Sequence, residues 1–258
     1  MMDAAPQLPI PISLPEPWNT GLTFQFQSLP HVSWLVGPNG SGKSRFLEVV
    51  ANSPQLVALK PRLLGTDRLS TGRSTQQFAS HFGEGTFGSG INKGHFASLA
   101  EIHKQNANLI TTLTLLDQRP DLRIRLEATL SQLLERTIRL EMVDGKLVPK
   151  ARYARKPEYE LFKSECHGVL ELVVLLANIF DDQTQLLLID EPELNLHPQY
   201  QAYVLDAILK TPGKQFILAT HSPFFLLLAD REFGCSRWTA LLSQRFSSAD
   251  RLSPQRAA

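Results

Sequence analysis

The amino-acid sequence predicts an α/β fold built on a largely parallel sheet, and three stretches predict it. Gly37 to Ser44, Gly-Pro-Asn-Gly-Ser-Gly-Lys-Ser, fit the phosphate-binding loop G-x-x-x-x-G-K-[ST] without a mismatch. A β-prone run, Val32 to Val36, precedes them, and a run with apolar residues at helical spacing, Arg45 to Ala51, follows. Gln185 to Ile189 make a second apolar run, ending in Asp190 and Glu191, and Gln215 to Ala219 a third, ending in Thr220 and His221. Strands that are apolar throughout suit a sheet covered on both faces. Their polar tips fall where open α/β sheets bind ligands, beyond the carboxyl ends of the strands.

Bulk properties agree with such a fold. The 258 residues suffice for one α/β domain with an insertion, or for two small domains. A hydrophobic fraction of 43% and a charged fraction of 20% are those of a globular protein. The net charge of +1, from 26 basic and 25 acidic side chains, excludes a strongly basic nucleic-acid binder by composition but not a local basic patch. With only Cys166 and Cys235 present, no disulfide framework is expected, and a reducing cytoplasm is the natural setting. The longest apolar runs, Val169 to Ile179 and Phe224 to Ala229, are too short to span a bilayer, and Met1 to Pro6 do not open a signal peptide.

In chain order, residues 1–20 hold five prolines between Pro6 and Pro17 and read as an extended leader. Leu22 to Gln27 alternate as a half-buried strand, and Leu29-Pro30-His31 turn into the strand before the phosphate loop, a hairpin-like entry. Gln55 to Leu59 are expected to form a further strand. Glycines crowd residues 83–94 as a mobile loop, which carries no dinucleotide fold. From Phe96 to Leu140 apolar residues recur at helical spacing in two runs, Leu99 to Leu116 and Leu122 to Ile138, with Pro120 at the second helix start. This helical hairpin is expected to pack its leucine stripes within the pair or onto the body rather than to form a partner groove. Asp144-Gly145 between β-prone runs signals a β-hairpin over Arg139 to Val148. Lys146, Lys150, Arg152, Arg155 and Lys156 follow, either as a solvated basic strand, the commoner meaning, or as contacts to nucleic-acid phosphates.

The residue types around the loop specify chemistry. Gly37, Gly40 and Gly42 let backbone N–H groups close around a phosphate, and the helix beginning near Lys43 adds its positive end. Gly37, Pro38, Asn39, Gly40, Ser41, Gly42, Lys43 and Ser44 are thus the candidate nucleotide-binding residues. Lys43 is placed to bridge the outer phosphates and Ser44 to give its hydroxyl to Mg2+. Asp190 is the candidate second metal ligand, Glu191 the carboxylate that orients or deprotonates water, and His221 a donor to a terminal phosphate.

In this order, the loop, Leu-Leu-Leu-Ile-Asp-Glu-Pro-Glu-Leu-Asn-Leu-His-Pro and Leu-Ala-Thr-His-Ser-Pro-Phe resemble the nucleotide-binding domain of the ABC-type ATPase superfamily. The run Glu193 to Pro198 is similar to the OLD-like and RecF/SMC-like branch, AAA-family ATP-binding proteins of genome maintenance and of bacterial defence against phage. The resemblance implies a P-loop NTPase with an ABC-ATPase-like mixed sheet and a helical-hairpin insertion. It implies Lys43, Glu191 and His221 in catalysis, Ser44 and Asp190 on Mg2+, residues 193–197 as a dimer-facing loop, and ATP as the nucleotide. Such proteins close two nucleotide domains head to tail. The candidate signature for the facing nucleotide is Ser164-Glu165-Cys166-His167-Gly168, with Ser164 and Gly168 as contacts, though the usual Ser-Gly-Gly order is absent. The glutamine-loop role stays open between Gln76 or Gln77 and the Leu64 to Arg68 segment.

The expected organisation is an ATPase core over 21–95 and 157–229, an insertion over 96–156, and an irregular tail over 230–258 with no room for the nuclease domain that OLD-like members often carry. The expected activity is ATP hydrolysis by a homodimeric switch acting on a protein effector, a nuclease or toxin. Nucleic acid stays open as a partner. A transporter's nucleotide-binding domain and a non-hydrolysing DNA-binding scaffold are the alternatives.

Overall fold

The computed structural model describes residues 10–13, 23–26, 30–69, 107–143, 146–161, 167–233 and 239–240. The central sheet is made by β3 (Val32–Val36), β4 (Pro61–Leu64), β8 (Leu186–Asp190), β9 (Gln215–Thr220) and β10 (Thr239–Ala240), in the order β10-β3-β9-β8-β4. Every pairing in it is parallel. Successive side chains of a strand leave opposite faces, so the apolar runs split between two cores. Leu187 and Ile189 of β8 and Phe216 and Leu218 of β9 face one, while Leu186, Leu188, Ile217 and Ala219 face the other.

The smaller core is closed by α1 (Lys43–Ala51), through Phe46, Leu47 and Val50, and by Ile12. The larger is closed by α2 (Leu109–Gln118), α3 (Pro120–Leu133), α4 (His167–Phe180), α5 (Pro198–Leu209) and α6 (Pro223–Phe233). Trp34 of β3 meets Phe225 of α6 edge to face, with ring centroids 5.8 Å apart. Among the described residues, antiparallel pairing is confined to two small sheets. In one, β1 (Ile10–Ser13) pairs with β2 (Thr23–Phe26). In the other, β5 (Thr137–Val143), β6 (Lys146–Arg152) and β7 (Tyr159–Glu160) lie in sequence order.

Several expectations need correction. Gln55 to Leu59 are not a strand: Pro54–Leu59 form a 3-10 helix, and the strand is Pro61–Leu64. Pro54 has no N–H for a ladder but fits a first helical turn, and Lys60 at φ 47° redirects the chain into β4. The extended leader is tied down over Ile10–Ser13, which pair with β2 and bury Ile12. Nor does β2 form a hairpin with β3; its partner among the described residues is β1. The tail is not wholly irregular, because α6 continues to Phe233 and Thr239–Ala240 extend the sheet beside β3.

In the insertion, α2 begins at Leu109, because Asn108 caps it with a capping box to Thr111, and the N–H of Ala107 bonds the Leu63 carbonyl of β4, while the start of the expected helical run, Leu99 and Ile102, falls outside the described residues. Pro120 opens α3 as expected. Helix ends at Leu133, and Ile138 belongs to β5. The leucine stripe, Leu116, Leu122, Leu126 and Leu130, is buried in the larger core, so packing onto the body accounts for it. The β-hairpin forms in the expected register, Arg139 opposite Lys150, while its turn, Asp144-Gly145, falls outside the described residues, as do the glycines of 83–94.

A polar corner holds the far end of α4. Asp181, fully buried, accepts hydrogen bonds from Arg62 Nη1 at 2.6 Å and Arg119 Nη1 at 3.3 Å. Lys214 caps the helix by donating to the carbonyls of Asn178, Ile179 and Asp181 at 2.5 to 2.9 Å. Burial pushes the Lys214 ammonium down to about 7. Among the described residues, no helix is long and apolar enough to cross a membrane.

Candidate nucleotide site

Parallel register brings the site together. Val36 of β3 lies opposite Thr220 of β9, and Ala219 lies opposite Asp190 of β8. Neighbouring strands are about 4.8 Å apart, so the loop after Val36, Glu191 after Asp190 and His221 after Thr220 emerge side by side. One edge of the sheet therefore holds residues separated by more than 180 positions in sequence.

The loop has the conformation its glycines permit. Gly40 (φ 79°) and Gly42 (φ 90°) are left-handed, and a Cβ at Gly40 would meet nothing within 4 Å. Gly42 caps α1, whose first turn holds no acidic residue of its own. Lys43 is buried, with Nζ donating to the carbonyls of Gly37 at 2.8 Å and Pro38 at 3.1 Å. The Ser41 hydroxyl is buried with no hydrogen-bond partner. A lysine folded onto its own loop and an orphaned hydroxyl in it fit a phosphate group.

Ser44 hydrogen-bonds the Asp190 carboxyl, which pairs two hard oxygen donors as Mg2+ takes them. Burial raises Asp190 above the ordinary aspartate range. The Ser44 hydrogen bond opposes this, the charge of Glu191 adds to it, and Lys43 and Arg68 offset part. A carboxylate penalised in this way gains from a bound dication, so the residues present fit the metal. A raised carboxyl pKa favours the folded state below the unfolded pKa, and that contribution is lost as pH rises through the folded value. At neutral pH the ionised Asp190 is therefore a net cost. Asp190→Asn is expected to raise Tm without nucleotide or metal at pH 7.5, with the gain shrinking toward about pH 4. Calorimetry on the metal-free variant checks this; an unchanged or lower Tm at pH 7.5 would refute it.

Glu191 Oε1 lies 2.6 Å from His221 Nδ1, joining the tips of β8 and β9. Glu191 is left-handed (φ 48°) although it is not glycine and precedes a proline, a conformation that costs on the order of 1–3 kcal/mol. Asn195, four residues on, is also left-handed (φ 61°). Glu193 hydrogen-bonds the Thr220 hydroxyl, and burial raises its carboxyl. Residues 193–197 thus form a tight turn between β8 and α5, closed by His197 as N-cap and by Gln201 Nε2 bonding the Leu196 carbonyl at 2.9 Å.

Of the predicted site residues, Gly37 to Ser44, Asp190, Glu191 and His221 lie at this edge. Gly168 is buried in the first turn of α4, while Ser164, Gln76 and Gln77 fall outside the described residues. The sequence reading missed Glu171 and reached Arg68 only as the end of the Leu64 to Arg68 segment, with no role of its own. Arg68 is fully buried, bonded to Glu171 and to the carbonyls of Gly65, Asp190 and Glu191. The signal was there, since Glu171 is the sole charged residue between Gly168 and Phe180. A charge inside so apolar a helix requires a buried partner.

Residues 167–227 match the family model described as "AAA domain, putative AbiEii toxin, Type IV TA system". No curated protein matches the chain in sequence. Among solved structures, an SMC head bound to the C-terminal winged-helix domain of ScpA is 14% identical with a TM-score of 0.50, over 81% of this chain and 87% of that one. The SMC head domain from Thermotoga maritima is 14% identical with a TM-score of 0.45, over 87% and 93%. An ATP-binding subunit of an ABC transporter is 15% identical with a TM-score of 0.46, over 91% and 85%. The parallel sheet with its phosphate loop, the matched segment from α4 to α6 and the likeness to an SMC head lead to one conclusion. The chain has the P-loop nucleotide-binding fold of ABC-type ATPases and SMC heads.

Proposed function

We propose that this protein binds ATP with Mg2+ on Gly37 to Ser44 and Asp190, and hydrolyses it to ADP and phosphate. The observation that carries the reading is the convergence of Lys43, Ser44, Asp190, Glu191 and His221 at one sheet edge, with Glu191 and His221 in contact. Mg2+, when bound, supplies charge neutralisation at the phosphates. Glu191 Oε1 accepts the proton of the attacking water, and His221 holds that carboxylate in place until substrate draws it away. Lys43 exchanges two loop carbonyls for phosphate oxygens.

The reading extends to a nucleotide-driven homodimer that switches a protein effector of nuclease or toxin type, in phage defence or DNA maintenance. The toxin–antitoxin description of the matched family supports that direction. Dimer closure would bring Gly168 and Ser164 of one copy toward the nucleotide of the other. The test is the size of Glu191→Gln with and without Mg2+-ATP. ATP is expected to convert a monomer to a dimer, and a monomer under both conditions despite bound ATP would overturn the switch. Co-purification with an integral membrane protein would favour a transporter subunit instead. Salt-dependent duplex binding without turnover would favour a DNA scaffold.

A further inference from the structure

We propose that Arg68 is the positioning residue for the water-activating carboxylate, holding Glu191 in its left-handed conformation. The inference rests on reading Glu191 as the base. One guanidinium, fully buried, engages four acceptors. Nε donates to Glu171, Nη1 to the carbonyls of Gly65 and Asp190, both at 2.9 Å, and Nη2 to the carbonyl of Glu191 at 3.0 Å. The Asp190 and Glu191 carbonyls lie on either side of the Glu191 Cα, so gripping both restrains rotation about its φ and ψ. The N–H of Glu191 is fixed separately, to the Ala219 carbonyl at 2.8 Å. Glu191 at φ 48°, before Pro192, is a conformation its own chemistry disfavours, and Arg68 is what holds it.

Glu171 connects this clamp to α4 and to the following turn. Its other oxygen, Oε1, accepts from Asn195 Nδ2 at 3.2 Å, so one buried carboxylate restrains both left-handed residues after β8. Glu171 lies in the first turns of α4, just beyond Gly168. A displacement of that end of α4 would be felt at Glu191 through a single side chain. A buried ion pair adds little net stability over apolar residues of similar size, so stability alone does not account for it. Lysine cannot replace the fork, because its donors radiate from one nitrogen and cannot reach four acceptors that the guanidinium meets with three separate nitrogens.

The test compares wild type, Arg68→Lys and the double variant Arg68→Met/Glu171→Met, which leaves no unpaired buried charge. ATP affinity, kcat, KM and Tm are measured with Mg2+. Both variants are expected to fold and to bind ATP within about threefold of wild type, while kcat falls about 100-fold, the size of effect that follows a misplacement of about 1 Å. Wild-type kcat in a folded variant would overturn the proposal. Parallel losses of ATP affinity and turnover, or failure of both variants to fold, would make the clamp merely structural and overturn it too. Absence of turnover in the wild type would instead remove the ATPase reading itself, a result distinct from any variant difference.

Discussion

Replacing Glu191 with Gln is expected to lower kcat for ATP hydrolysis by about 10²- to 10⁴-fold, the range that general-base catalysis supplies, with ATP affinity changed little. Glutamine keeps the shape and one acceptor oxygen but cannot take up a proton at neutral pH. Affinity is set elsewhere, by the loop amides, Lys43 and Ser44, whose contacts do not pass through the Glu191 carboxylate. The variant should also keep its fold, because the Arg68 clamp holds the Glu191 backbone and not its side chain. Single-turnover rates at saturating ATP, beside equilibrium binding, separate the two quantities. Turnover within a few-fold of wild type would place the base at another residue, and Glu193 would be next, since burial already raises its carboxyl and it lies on the same turn.

The contact of His221 with Glu191 makes the comparison sharper. At 2.6 Å Glu191 Oε1 and His221 Nδ1 meet across adjacent strands, and Oε2 and Nε2 take no part in that contact. If Glu191 is the base, as proposed, substrate is expected to draw His221 away from Oε1 before that oxygen takes up a proton. A phosphate that draws the imidazole toward itself would free the carboxylate in the same motion.

The sheet edge was legible in the sequence because each part of it is local. A glycine-rich loop between strand and helix, and apolar runs ending in Asp-Glu and Thr-His, declare themselves within eight residues. Strand order was not legible, nor was the insertion of β9 between β3 and β8, since register is set by pairing across more than 150 residues. Gln55 to Leu59 failed because an apolar run of five does not distinguish a strand from a helical turn, and Pro54 decided the matter. Ile138 failed in the opposite sense, its helical spacing continuing past the end of α3 by coincidence. Arg68 shows the deeper limit. Its partners lie 3, 103, 122 and 123 residues away, so the lone charge at Glu171 signals that a buried partner exists but not which residue it is.

Asp181→Ala is expected to destabilise the protein by about 3–5 kcal/mol, the usual penalty for leaving a buried charge without its partner. Asp181 is wholly buried and Arg62 nearly so, and burial already lowers the Arg62 pKa against the pull of that carboxylate. Removing the carboxylate also takes a counter-charge from Lys214, which is held at about 7 with Asp181 as its main support. Urea unfolding measures the loss, and Arg62→Met/Asp181→Leu should recover most of it by removing both charges together. Helix α4 therefore carries a buried arginine–carboxylate pair near its start, Arg68–Glu171, and another just past its end, Arg62–Asp181. The chemistry is the same, but the partners differ. The first reaches the backbone of Glu191, and the second reaches β4 and the junction of α2 with α3 through Arg119. Below its lowered Tm, folded Asp181→Ala should accordingly hydrolyse ATP at a rate close to wild type. If its kcat fell as far as that of Arg68→Lys, the two ends of α4 would act as one rigid lever, and the positioning role would belong to the whole helix and not to Arg68.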